Sequence, residues 1–316
     1  IKSIFLKKES YIQVPDGASF SYGGSQQWFP RTSPFGTDTR LSRYGCGNTA
    51  LSDLCLYLTR KHSVSTPETL AAESPDHPLS KESYLDYARL MNRRYTFTLP
   101  FFGCTGAALS LSLNHFFLRR RLPYRAHYMW LNTGGRMLSA IRDSLSNDIP
   151  VILSIGPNFP NFRGRHGVMF YSSDGKKAPG RLPHLLPSAN QNVHAHFVTI
   201  TGLFYTSSGS CVLAVSSWGK QYYISYRELR RYIRRYGLFL TSSLICVRPV
   251  SKGHAADKTA AKCCKRLCRF VLGHCVRLIS KRIVDRHIGR VVSQNHPGGS
   301  VSCQRQNRMV FIDIIQ

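Results

Sequence analysis

Residues 44–58 read YGCGNTALSDLCLYL, a cysteine between two glycines followed by a run with helical periodicity. The apolar positions repeat at the i, i+3, i+4 and i+7 spacing of a helix with one buried face. They are Ala50, Leu51, Leu54, Cys55 and Leu58. The pattern predicts a helix from Cys46 to about Lys61, and the free N–H groups at its start favour a lowered thiol pKa and a nucleophilic Cys46. The alternative is a loop cysteine beside a core helix.

The predicted elements change type near the middle of the chain. Residues 31–43 are polar and rich in turn-forming residues, and helical patterns follow at 80–92 and after Thr105. Strand patterns then occupy most of the second half, at 150–155, 193–205, 211–217 and 238–247. The sequence therefore predicts an α+β fold, in which a helical first half carries the cysteine at a helix N-terminus and packs on an antiparallel sheet from the second half.

The charge of the chain is strongly positive and unevenly distributed. There are 43 Lys and Arg against 16 Asp and Glu, a formal net charge of +27. Such an excess attracts anionic partners, but no nucleic-acid motif accompanies it, and a basic surface without a dedicated partner is the simpler interpretation. The composition changes after residue 250. We expect a domain of residues 1–250 and a basic, cysteine-containing extension of 251–316, either disordered or an amphipathic helix with weak contact to an anionic surface or nucleic acid.

Cysteine spacing and hydropathy exclude several other classes. The ten cysteines lack the even spacing of a disulfide framework, and the adjacent Cys263 and Cys264 do not fit a regular zinc site. We expect no metal and no cofactor. No apolar run reaches 18 residues, so no transmembrane segment is expected. The first residue, Ile1, indicates a fragment or a processed chain, which leaves the compartment open.

A cysteine nucleophile needs a histidine that a rigid element holds in place. His196 begins the sequence HFVTITG at 196–202, whose alternation predicts a strand that would fix the imidazole. His194 and His166 also lie at the start of apolar strand patterns. The sequence SSWG occupies 216–219, fourteen residues after the final glycine of the histidine strand. The presence of this motif after its strand makes His196 the best candidate.

Together these residues resemble the papain-like cysteine peptidases. That family has a Gln, then Cys-Gly at the head of a long helix, then a strand that opens with His and closes six residues later with Gly, then Asn-Ser-Trp-Gly. The Gly-Cys-Gly opening, with the sequence PVIL at 150–153, is more similar to the bacterial branch of bacteriocin-processing (double-glycine) peptidases. The resemblance covers residues 20–247. It implies a papain-like fold and a peptide or protein substrate.

The resemblance also implies a role for each matching residue. Cys46 would be the nucleophile that forms a thioester, and His196 the general base that takes its proton. Gln26, with Gln27 as the second choice, would donate an amide N–H to the oxyanion. Ser216 stands where the family has Asn and would orient the imidazole through its shorter hydroxyl. The glutamines lie twenty residues before Cys46 instead of six, so an insertion must separate them.

Two other functions fit the same sequence. A fold does not determine a substrate, so the chain could instead hydrolyse an amide of cell-wall peptide or transfer an acyl group to an amine. The alternative from a different class is a non-catalytic basic binding protein with a vestigial cysteine site. In that case the tail, residues 251–316, would engage anionic lipid or nucleic acid.

Overall fold

The fold is known from a computed structural model, which describes the N-terminal part of the chain with several gaps. The described residues are 3–7, 11–33, 36–61, 66–72, 79–96, 98–100, 103–130, 135–157, 166–173, 183–190, 192–206, 209–236 and 242–250. The predicted extension at 251–316 lies outside these residues, so its two predicted forms stay predictions. Within the described ranges, every helix is too short or too polar to cross a membrane.

The helices occupy mainly the first half of the chain, as predicted. They are α1 (Thr37–Tyr44), α2 (Cys46–Lys61), α3 (Pro67–Ala72), α4 (Lys81–Met91), α5 (Gly106–Arg119), α6 (Gly135–Ser146) and α7 (Tyr226–Arg235). The predicted helix from Cys46 to Lys61 is confirmed as α2. The interpretation of residues 31–43 as turns is wrong for their second part, which forms α1. The side chains of Ser80, Thr105 and Ser225 cap α4, α5 and α7 by accepting backbone N–H groups.

An antiparallel sheet forms the other layer. Its strands are β1 (Ser3–Phe5), β4 (Tyr124–Trp130), β5 (Val151–Ile155), β6 (Tyr171–Ser173), β7 (Leu185–Pro187), β8 (His196–Tyr205), β9 (Cys211–Ser217), β10 (Lys220–Ser225) and β11 (Ser243–Pro249). Their order is β4-β11-β5-β8-β9-β10-β6-β7, with β1 also paired to β8. A separate hairpin joins β2 (Pro15–Asp16) and β3 (Ser19–Phe20). The predicted α+β class is confirmed.

Strand β8 lies in the middle of this sheet. Residues 196–200 of β8 pair with β5, and residues 202–204 pair with β1, on either side of a bulge between Ile200 and Gly202. A Cβ on Gly202 would lie 2.5 Å from the ring of Phe5, so a glycine allows β1 to approach. The N-terminal strand, which the sequence pattern did not predict, thus completes the sheet beside the histidine strand.

Helix α2 runs through the core and packs against β8 and α4. Each residue from Gly47 to Thr59 is buried, so the helix is covered on all sides and not only along the predicted apolar stripe. Its buried polar residues, Asp53 among them, therefore need partners inside the protein.

Candidate active site

The predicted nucleophile and base line one small cleft. Its walls come from the short helical turn Gln26–Trp28 with the residues before it, from α2, from the start of β8 and from the end of β9. The lining residues include Gln26, Cys46, Asp53, His196, Ser216, Ser217 and Trp218. The sequence places these residues far apart, and the sheet and α2 bring them together.

Cys46 is the first residue of α2 and is partly exposed to the cleft. Gly45 is the only residue between α1 and α2, and its N–H donates to the carbonyl of Leu41. A Cβ on Gly45 would clash with that carbonyl, and a Cβ on Gly47 would clash with the Sγ of Cys104. The two glycines of the Gly-Cys-Gly motif therefore allow close packing on either side of the cysteine.

His196 is the first residue of β8 and is only 8% exposed. Its ring stacks on the indole of Trp218, with centroids 4.3 Å apart and planes 15° apart. Trp218 and Gly219 have φ values of +48° and +74° and connect β9 to β10 in a two-residue turn. Positive φ at both central residues is typical of the type I′ turns that join twisted strands. This turn fixes the indole against the imidazole.

The hydrogen bond predicted from Ser216 to the imidazole is made by the next residue instead. The Nε2 of His196 lies 2.8 Å from the Oγ of Ser217. The Oγ of Ser216 donates to the carbonyl of Tyr22, 2.8 Å away. Successive residues of a strand point to opposite faces, so the two serines have different partners. The predicted contact of Ser216 with the imidazole is therefore wrong, and Ser217, the next residue of the SSWG motif, makes this contact instead.

The structure distinguishes the two candidate glutamines. Gln26 lines the cleft, and its Nε2 donates to the carbonyl of Ser42 in α1, 3.2 Å away. Its Oε1 is buried without a hydrogen-bond partner. Gln27 is exposed. Helix α1 occupies the insertion between Gln26 and Cys46, and its contact with Gln26 keeps this residue at the cleft.

The other histidines considered from the sequence have different surroundings. The Nδ1 of His194 lies 2.9 Å from the carbonyl oxygen of Asn192 in a largely exposed position. His166 stacks on Tyr236, with ring centroids 3.9 Å apart. Neither residue lines the cleft that contains Cys46.

Asp53 is a cleft residue that the sequence analysis missed. It lies on α2 and is 2% exposed. Its Oδ1 accepts the hydroxyl of Tyr84 at 2.7 Å, and its Oδ2 accepts the N–H of Gly24 at 2.9 Å. Burial raises the pKa of Asp53 to about 7, although both hydrogen bonds act in the opposite direction. A single acidic residue in an apolar helix, two turns after Cys46, was the signal in the sequence.

Burial also determines the charge of the predicted catalytic pair. It raises the pKa of the Cys46 thiol, while hydrogen bonding to the backbone of Phe197 and Gly47 lowers it. Burial lowers the pKa of His196 to about 3. The expectation that the helix N-terminus lowers the thiol pKa is therefore wrong for the resting site, because desolvation is the larger effect. Both shifts favour the neutral forms of the two side chains.

No group of three or more His, Cys, Asp or Glu side chains in the described part of the chain is arranged to hold a metal ion. Neither the protein-family models nor the curated proteins contain a match to this chain.

Proposed function

We propose that this protein is a cysteine peptidase of papain-like fold, which hydrolyses peptide bonds through a thioester on Cys46. The observation that supports the proposal is the common cleft: a thiol at a helix N-terminus and an imidazole at a strand start both line it. Ser217 and Trp218 hold the imidazole from two directions. Covalent catalysis by cysteine requires such a combination of a nucleophile, a base and a group that orients the base.

Acylation would begin with a neutral pair. In the tautomer that donates Nε2–H to Ser217, the Nδ1 of His196 has a free lone pair and can accept the Cys46 proton as the sulfur attacks the substrate carbonyl. Proton transfer during the attack avoids a resting ion pair, which burial of both groups disfavours. The carbonyl oxygen becomes an oxyanion.

We expect two groups to stabilise that oxyanion. One is the backbone N–H of Cys46, because the first N–H groups of a helix have no partner within it. The other is the amide of Gln26, whose Nε2 uses one hydrogen for Ser42 and retains a second. Collapse of the intermediate breaks the C–N bond, and the leaving amine takes the proton from His196. Water then attacks the thioester with His196 as base, releasing the acid and the thiol.

The test is cleavage of a peptide library by the full chain, with products identified by mass spectrometry. We expect new carboxyl termini, loss of cleavage in Cys46→Ala, and a decrease in kcat of about 10²–10⁴ in His196→Ala, the usual contribution of a general base. His194→Ala and Cys211→Ala are the matched controls, because neither residue lines the cleft. Cleavage that survives Cys46→Ala would contradict the proposal.

The same experiment distinguishes the alternatives. Products joined to an added amine in preference to water would indicate an acyltransferase, and release of ammonia from peptide amides would indicate an amidase. Absence of products, together with equal iodoacetamide labelling of Cys46 in the wild type and in His196→Ala, would favour the non-catalytic binding protein.

A further inference from the structure

Asp53 lies two helical turns after the predicted nucleophile. It follows Cys46 by seven residues, which places it on the same face of α2 but about 10 Å further along the helix axis. It nevertheless lines the same cleft and is almost completely buried. A buried carboxylate is costly unless hydrogen bonds compensate for its lost hydration.

The partners of Asp53 hold the backbone that leads to Gln26. Gly24, whose N–H Asp53 accepts, precedes Gln26 by two residues. A Cβ on Gly24 would clash with the hydroxyl of Tyr84, the other donor to Asp53, so the backbone lies directly against this pair. Ser25 then starts the short helical turn at Gln26, accepting the N–H of Gln27.

The same backbone segment also holds the turn that carries Trp218. Gly24 accepts the N–H of Gly219 at 3.0 Å, and Tyr22 donates its N–H to the carbonyl of Gly219 at 2.7 Å. Ser216 donates to the carbonyl of Tyr22. Residues 22–24 therefore lie between α2, which carries the thiol, and the β9–β10 turn, which packs on the imidazole.

We propose that Asp53 is a positioning residue of the active site, whose carboxylate fastens the segment 22–26 to α2 and so holds the Gln26 amide beside Cys46. The inference rests on the proposed function for its catalytic consequence. It gives a role to Asp53, a cleft residue that takes no direct part in the proposed reaction.

Substitutions at Asp53 separate this role from a general contribution to stability. Asp53→Ala removes both hydrogen bonds. Asp53→Asn retains them, because its Oδ1 can accept the N–H of Gly24 while its Nδ2 donates to a turned hydroxyl of Tyr84. Asp148 supplies the matched control: it is a buried aspartate that also accepts a tyrosine hydroxyl, from Tyr57, and a backbone N–H, from Lys7, and it does not line the cleft.

The experiment combines hydrogen exchange of the full chain, read on peptides that cover residues 20–29, with steady-state kinetics. In Asp53→Ala we expect faster exchange at 22–26 and a decrease in kcat of about tenfold or more with KM within about twofold. Asp53→Asn should restore kcat to within about threefold of the wild type. Asp148→Ala should leave both exchange at 22–26 and kcat unchanged.

Unchanged exchange at 22–26 in Asp53→Ala would overturn the proposal, as would faster exchange with unchanged kcat. If Asp53→Ala does not fold, Tyr84→Phe removes one of the two donors and should give intermediate exchange, and exchange equal to the wild type would again overturn it. If the wild-type protein cleaves nothing, the proposed function fails, and the exchange comparison alone decides whether Asp53 holds this segment.

Discussion

At the scale of single residues, the two serines of the SSWG motif have separate tasks, which substitution can test. Ser217→Ala removes the hydrogen bond to His196, and the loss of one such bond, about 1 kcal/mol, should lower kcat by about fivefold. Ser216→Ala removes only one of the hydrogen bonds that hold residues 22–24 and should lower kcat by less than Ser217→Ala does. Peptidase kinetics on both variants measure the difference, and a larger effect at Ser216 would contradict the geometry.

The two adjacent glutamines allow a similar comparison. Gln26→Ala should lower kcat by about 10²–10³, the usual effect of removing one oxyanion donor, with little change in KM. Gln27→Ala should leave kcat unchanged, because its side chain is exposed. Equal rates for the two variants would show that no glutamine of this pair stabilises the oxyanion.

Asp53 should also affect the pH dependence of stability. Its pKa is raised from 3.8 to about 7, so the folded protein binds its proton more tightly than the unfolded chain does. The free energy of unfolding should therefore fall as the pH rises from about 4 to about 7, by on the order of 4 kcal/mol. The titratable groups that interact electrostatically with the carboxyl are Tyr11, Tyr84, Tyr87 and Arg60.

Urea unfolding of the wild type and Asp53→Asn between pH 4.5 and pH 8 isolates this contribution. As the pH rises, the free energy of unfolding of Asp53→Asn should increase relative to that of the wild type. A difference that is independent of pH would show that Asp53 titrates near its ordinary value.

The sequence singled out Cys46, His196 and Gln26, which line the cleft, but not the positions of Ser217 and Asp53. Cys46 and His196 were predicted from local patterns, a helix start and a strand start, and both patterns are confirmed as secondary structure. The role of Ser217 depends on which face of β9 meets the imidazole, and that of Asp53 on how residues 22–24 pack on α2. Neither relation is encoded in local periodicity, which is why the motif alone points to Ser216 and gives no sign of Asp53.

At the scale of elements, the start of α2 is fixed by close packing against Cys104. Alanine is intrinsically the better helix former by about 1 kcal/mol, yet Gly47→Ala should destabilise the protein by about 1–3 kcal/mol, because its Cβ would clash with the Sγ of Cys104. In a Cys104→Ala background the same substitution should cost much less. Urea unfolding of the wild type, the two single variants and the double variant measures the coupling free energy between Gly47 and Cys104. If Gly47→Ala destabilises both backgrounds equally, the clash with Cys104 is not the cause.

The elements that the sequence missed are those whose pattern is weak. Helix α1 is only eight residues long and buries Thr39, Leu41 and Ser42, of which one is apolar, so it lacks the long apolar pattern that marks α2. Strand β1 has three half-buried residues and acquires its partner, β8, from a distant part of the chain. The elements α2, β8 and β9 were easier to predict, because buried elements of this length contain long runs of apolar residues.

At the scale of the whole molecule, the cleft is a product of tertiary structure. Its walls come from residues 24–26, from α2, from β8 and from the end of β9, and the antiparallel pairing of β8 with β9 places the last two together. The order of the motifs along the chain was enough to predict that Cys46 and His196 lie close together. The contacts around them depend on the register of the sheet and on the position of α1, which the motifs do not specify.

The net charge of +27 is also a property of the whole chain. It leads us to expect salt-dependent binding to polyanions, which does not involve the cleft. Binding of the full chain to a nonspecific polyanion, such as single-stranded DNA, should weaken by at least about tenfold between 50 and 200 mM salt, because three or more neutralised phosphates release their counterions. Cys46→Ala should bind equally well, since the substitution removes no charge. Peptide cleavage by the wild type should vary little over the same salt range, because the proposed chemistry uses neutral groups in a buried site. Cleavage that falls in parallel with polyanion binding would instead connect the basic surface to substrate recognition.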